Sequence, residues 1–100
     1  MMTSKHWNEE RTARATLIAS IGLGKVVLTS IVDRGHINGP EIHTISDTGI
    51  ITIYNQRTHK MITQLIARPG QIRRYYPEGQ APQALIRLAR YHQELAYNEK

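Results

Sequence analysis

Between Thr48 and Pro77 the chain carries no Asp or Glu, yet the interval holds Arg57, Lys60, Arg68, Arg73 and Arg74. The same interval, Gly49 to Tyr76, contains the two best strand candidates. Ile50–Tyr54 is apolar on both faces, the pattern of a strand in the middle of a sheet. Lys60–Ala67 alternates: Met61, Thr63, Leu65 and Ala67 fall on one side, Ile62, Gln64 and Ile66 on the other. Asn55–His59 is a connection of hairpin length. The chain is thus built around a hairpin that is basic and has no acid to offset it. Such a surface favours an anionic partner.

The remaining segments fit around that hairpin. Ser4 is placed to cap a first helix, whose pattern blurs over Thr16–Ile21 and stops at Gly22-Leu23-Gly24. Lys25–Asp33 is rich in β-branched residues and reads as a strand. Arg34–Pro40 is a loop closed by the turn dipeptide Asn38-Gly39. Glu41–Ser46 is a weaker strand, short or bulged, because Ile42 and Ile45 cannot share a face. Asp47–Gly49 is a turn, and Pro69-Gly70 breaks the second strand of the hairpin. Gln71–Tyr76 reads as a last short strand, ended by Pro77 and Gly79. Pro82 suits the first turn of a terminal helix, with Leu85, Leu88, Ala89, His92, Leu95 and Ala96 as its apolar stripe. The expected fold is α+β: an antiparallel sheet of about four strands with an N-terminal and a C-terminal helix packed on it. The 100 residues make a single domain, 1–100.

Thirteen Lys and Arg against eight Asp and Glu give a net charge of +5, clustered rather than spread. That points to nucleic acid, a phosphate-bearing ligand or an acidic protein. The absence of cysteine rules out disulfides and thiolate metal sites and suits a reducing cytoplasm. No apolar run approaches the ~20 residues of a membrane span, and charges interrupt the N-terminal stretch where a signal peptide would need an apolar one. The expectation is a soluble cytoplasmic protein with no membrane partner, encoded by a cell, a phage or a mobile element.

Two groups of residues could carry chemistry. The first is the loop His36–His43, with two histidines and Glu41 within eight positions. Histidine passes protons near neutral pH, and a neighbouring carboxylate fixes its tautomer. His36 or His43 could take the proton from a ribose 2′-hydroxyl or give one to a leaving 5′-oxygen. The plain alternative is a turn in which both rings cap backbone groups. A metal held by His36, Glu41 and His43 is a further alternative, but the spacing matches no zinc signature; no metal and no cofactor are expected. The second group is the basic hairpin. Lys60, Arg68, Arg73 and Arg74 could meet successive phosphates, and Tyr75 with Tyr76 could stack on unpaired bases. The same charges could merely protect a solvated edge strand. Thr63, polar on an apolar face, could offer its hydroxyl to a phosphate or satisfy a backbone group. His92 reads as a core histidine of the last helix.

The order of these pieces resembles the small ribonucleases of the barnase, EndoU, colicin and RelE superfamily, as found in phages and mobile elements. The resemblance runs over roughly residues 33–76 and rests on Gly35-His36, Glu41-Ile42-His43, the strand Gly49–Tyr54, and Lys60-Met61-Ile62-Thr63 followed by basic residues. It implies metal-independent RNA cleavage on an antiparallel sheet, as in a toxin or effector. His36 or His43 would match the acid–base position, Thr63 the hydroxyl residue of a late strand, and Arg68 or Arg73 the phosphate contact. The competing expectation is a non-catalytic module that binds nucleic acid or a protein, such as an inhibitor or a host-defence component. A third is a homodimer formed through an edge strand.

Overall fold

Four strands follow one another across a single sheet in the order β1–β2–β3–β4, each antiparallel to the next. They are β1 (Val26–Val32), β2 (Glu41–Ser46), β3 (Ile50–Asn55) and β4 (Met61–Ile66). Helix α1 (Lys5–Ile21) precedes the sheet; α2 (Pro69–Arg73) and α3 (Gln83–Asn98) follow it. The structure, a computed structural model, describes the backbone of residues 5–98 and the side chains of 13–95. Ser4, expected to cap α1, lies outside the described residues. The architecture is α+β with helices at both ends of the chain, as expected, and β3 is central, paired on both sides.

The meander is set by short, self-bonded turns. At the β2–β3 turn, Ser46 is buried and fully used: its hydroxyl accepts the Ile50 N–H at 3.1 Å and lies 2.8 Å from Thr48 Oγ1. Thr48 in turn donates to the Gly22 carbonyl at 2.8 Å, which fastens the end of α1 to this turn. At the β3–β4 turn, Asn55 Oδ1 accepts the N–H groups of Arg57 and Thr58, each at 2.9 Å, in an Asx-type turn. Its amide also donates to the Asn38 carbonyl at 3.0 Å, so this turn and the β1–β2 loop meet at one end of the sheet.

Register and alternation give two cross-sheet rows on one face: Leu28–Ile45–Ile51–Leu65 and Ser30–His43–Ile53–Thr63. The first row forms the main core with Ala67, with Ile72 of α2 and with Leu85, Ile86 and Ala89 of α3. Ile45 and Ile72 are wholly enclosed; burying such a side chain stabilises the fold by about 1.5–3 kcal/mol. Ile50 and Thr52 point to the opposite face and are buried too, as is Ile18 of α1. α1 lies against β4, the neighbour that can cover this second face.

Three local expectations need correction. Gln71–Tyr76 is not a strand: α2 occupies Pro69–Arg73, followed by turns through Tyr76. Pro69 stands at the first helical position, where its missing N–H costs nothing. The Gln71 side chain accepts the Arg68 N–H at 2.8 Å and caps the helix, and Ile72 anchors it in the core. Second, Met61 does not share a row with Thr63. The register shifts between Ile53 and Tyr54, so that Met61 pairs with Tyr54 and Ile62 is the extra residue. Third, of the two alternatives for Glu41–Ser46 the bulge is not in β2, which is a short strand of six residues running unbroken against β3; the irregularity lies in β1, between Val26 and Leu28.

Candidate functional site

Glu41 and His43 stand two positions apart on β2, which puts both side chains on the same face of the sheet. The carboxylate is thereby a neighbour of the imidazole: His43 Nε2 lies 2.9 Å from Glu41 Oε1. The other ring nitrogen is met from a distant part of the chain. The turn after α2 is held by hydrogen bonds from Tyr75 N–H to the Ile72 carbonyl at 3.1 Å and from Tyr76 N–H to the Arg73 carbonyl at 3.3 Å. It swings the Tyr75 ring over the sheet and sets its hydroxyl 2.5 Å from His43 Nδ1. A carboxylate only accepts, so Nε2 carries the hydrogen toward Glu41. In the neutral ring Nδ1 is then the acceptor, and the Tyr75 hydroxyl donates to it. The result is a continuous Glu41–His43–Tyr75 chain. His43 is only 2% exposed, and both its nitrogens are engaged.

This chain borders a pocket of about 470 Å³ between the sheet and α2. Its apolar wall is Val32, Ile51, Ile53 and Leu65. Its polar groups are Ser30, Arg34, His43, Gln71, Arg74 and Tyr75. Among the described residues neither arginine has a carboxylate partner, the ion-pair geometry there being that of Glu41 with His43. Burial pushes the Tyr75 phenol above its usual ionisation range. The positive charge of Arg34 pulls it back, Glu41 pushes it further up, and Arg74 again lowers it. Tyr75 therefore sits in the site as a neutral hydroxyl, with two guanidinium groups near enough to influence its ionisation. An apolar recess with convergent cationic and proton-carrying groups is suited to a small anionic group such as a phosphate.

Of the residues singled out from the sequence, the fold gathers His43, Arg74 and Tyr75. Arg68 lines a neighbouring depression that also includes Arg74. Thr63 is half-buried and occupies the same cross-sheet row as His43, with Ile53 between them, but it does not line the pocket. His36 is exposed in the β1–β2 loop, Lys60 is exposed at the β3–β4 turn, and Arg73 is exposed on α2. Tyr75 offers its hydroxyl to His43, and both Tyr75 and Tyr76 pack against the core. His92, half-buried on α3, has Nε2 3.3 Å from the Thr48 carbonyl. Sequence reading passed over Arg34, two residues beyond the end of β1, and Gln71, which stands at the third helical position, where a Gln side chain can reach back to the N-cap N–H. Among the described residues, no three His, Asp or Glu side chains gather as metal ligands. No helix there is long and apolar enough to cross a membrane.

No protein-family model, no curated protein and no solved structure matches the chain, so the site is read from its own geometry.

Proposed function

We propose that this chain is a metal-independent endoribonuclease acting in a cytoplasm, with Tyr75 as the group that meets the ribose 2′-hydroxyl. The observation that carries the reading is the Glu41–His43–Tyr75 chain opening into a pocket that also holds Arg34 and Arg74. As the 2′-oxygen attacks phosphorus, its proton passes to the Tyr75 oxygen while the phenol proton passes to His43 Nδ1. The imidazolium so formed is stabilised by Glu41. No free phenolate accumulates, which suits a phenol that burial keeps neutral. Arg34 and Arg74 offset the charge that grows on the phosphoryl oxygens. The P–O5′ bond breaks and water protonates the leaving oxygen; the hydroxide so formed takes a proton from Tyr75 as His43 returns its own to the phenol oxygen, which restores the neutral chain and leaves a 2′,3′-cyclic phosphate. The resemblance of residues 33–76 to small toxin-like ribonucleases supports the same class of reaction.

The test is cleavage of a single-stranded RNA with analysis of its termini. Cyclic-phosphate products are expected, with no cleavage of the 2′-deoxy analogue. Tyr75→Phe should lower the rate by about 10²–10⁴-fold, the range of positioned acid–base groups. Undiminished cleavage by Tyr75→Phe removes the assignment.

A second reading follows from the enclosure of His43, both of whose nitrogens are engaged. A polar cluster of that kind can serve to fix Tyr75 and the pocket, leaving a module that binds RNA or an acidic protein without cutting. It predicts salt-sensitive binding that weakens in Arg74→Ala, with no product from any RNA.

A further inference from the structure

A second depression of about 520 Å³, lined from the α2 segment and α3, shares Arg74 with the first. Arg68 and Arg74 reach it from the two ends of α2, and Arg90 with Gln93 reaches it from α3. The packing of α2 on α3 is what brings these cations, distant in sequence, to one place. Among the described residues no carboxylate lines the depression. Among the described residues none of the three arginines is held in an ion pair. Three like charges gathered without a counter-charge repel one another, so the arrangement favours an anion from outside.

Arg74 and Gln71 line both depressions, which makes the two contiguous. A guanidinium presents five donors around a planar fork and can serve an anion on each edge. We infer that Arg68, Arg74 and Arg90 form a second phosphate subsite, next to the one between Arg34 and Arg74. The ligand is then single-stranded RNA engaged through two consecutive phosphates. This rests on the ribonuclease reading of the first pocket and extends it to the path of the substrate: from the sheet face, past Arg74, and out over α2 toward α3. Tyr75 stands in a recess against the sheet, and a backbone that enters it must bend. A single strand can do so; the regular ridge of a duplex cannot.

The experiment is fluorescence anisotropy with a labelled 2′-O-methyl RNA tetranucleotide, which binds as RNA but cannot undergo 2′-attack, at a series of salt concentrations. A nucleoside 5′-monophosphate serves as a one-phosphate competitor. Arg90→Gln lies on the exposed side of α3, outside the proton-transfer chain. It should weaken tetranucleotide binding about fivefold and reduce the salt slope by about 0.7, the value for one phosphate on a single strand. The monophosphate should compete equally well against the wild type and the variant for the first pocket. Arg87→Gln, also exposed on α3 but outside the depression, should change neither quantity. If RNA binds and the slope of Arg90→Gln equals that of wild type, the second subsite is wrong while the first pocket stands. If wild type binds no tetranucleotide, both readings fall together. If an acidic peptide of equal charge binds more tightly than the RNA, the subsite is retained only for a protein partner and the RNA assignment is overturned.

Discussion

Tyr75 Oη and His43 Nδ1 lie 2.5 Å apart although 32 positions separate them in the chain. The contact ties the segment after α2 to the middle of the sheet and completes the hydrogen bonding of a buried ring. Tyr75→Phe keeps the aromatic packing and removes the donor, leaving Nδ1 without a partner. Its cost should be about 1–3 kcal/mol, the penalty for a buried polar group left unsatisfied. Urea unfolding at neutral pH measures it, and an unshifted midpoint would mean the hydroxyl does not support the fold.

The same phenol should make the protein sensitive to alkali. Burial, the largest influence, raises its ionisation point in the folded chain, while the unfolded chain ionises near the ordinary value of about 10. The sign follows. Below that value both states hold the proton and the contribution is fully present. As pH rises above it, the unfolded chain releases the proton first and stability falls until the folded form ionises as well. Thermal midpoints between about pH 9 and pH 11 should decline more steeply in the wild type than in Tyr75→Phe. Parallel curves would contradict the raised value.

Core and loop isoleucines should differ sharply. Ile45 and Ile72 are both 0% exposed within the sheet–helix core. Truncating either to Ala should cost about 2–5 kcal/mol, the sum of lost burial and a cavity. Ile37 is 92% exposed at the tip of the β1–β2 loop, and Ile37→Ala should change stability by less than about 0.5 kcal/mol. Chemical denaturation of the three variants side by side is sufficient.

Two glycines separate backbone strain from steric conflict. Gly24 and Gly35 both have left-handed dihedrals, with φ of 67° and 73°. A Cβ on Gly35 meets open space, whereas on Gly24 it would collide with the Asp47 carboxylate and the Thr48 side chain. Gly35→Ala should cost only the conformational term of about 1–2 kcal/mol. Gly24→Ala should cost more, because Asp47 Oδ1 must also give up the Lys25 N–H that it accepts at 3.0 Å. Equal losses in the two variants would show that the Asp47 contact is dispensable.

Much of the sheet was legible because its signals are local. Ile50–Tyr54 announces a central strand by being apolar on both faces, and Asn38-Gly39 and Asp47–Gly49 place the turns. The i, i+2 spacing of Glu41 and His43 already puts them on one side of a strand. Gln71–Tyr76 misled because Ile72, Tyr75 and Tyr76 have strand-like propensity, and that preference gave way to a proline start, a glutamine cap and one core isoleucine. With the segment read as extended, Tyr75 had no route to His43. Arg34 and Arg90 were invisible for another reason. Each looks like an ordinary solvated cation along the chain, and only the packing of α2 against the sheet and α3 puts Arg74 between them. The exposed positions of His36, Lys60 and Arg73 are equally a matter of tertiary placement, since composition cannot distinguish a loop tip from a cleft.

The strict neighbour-to-neighbour order of the four strands also bears on how the protein comes into being. Every ladder of the sheet closes a short loop, so strand pairing needs no distant encounter and carries little entropic delay. Glu41 and His43 enter with β2 itself. Tyr75 arrives only when α2 has docked, so a newly made chain should pass through a stage in which the imidazole is in place but open to water. Pulse-labelled hydrogen exchange should then protect the amides of β2 and β3 before that of Tyr75; simultaneous protection would argue for one concerted step. On this timetable the Glu41–His43–Tyr75 chain closes after the strands have paired, and a nascent chain ending before residue 69 lacks both the tyrosine that completes it and the helices whose Ile72, Leu85, Ile86 and Ala89 cover the sheet.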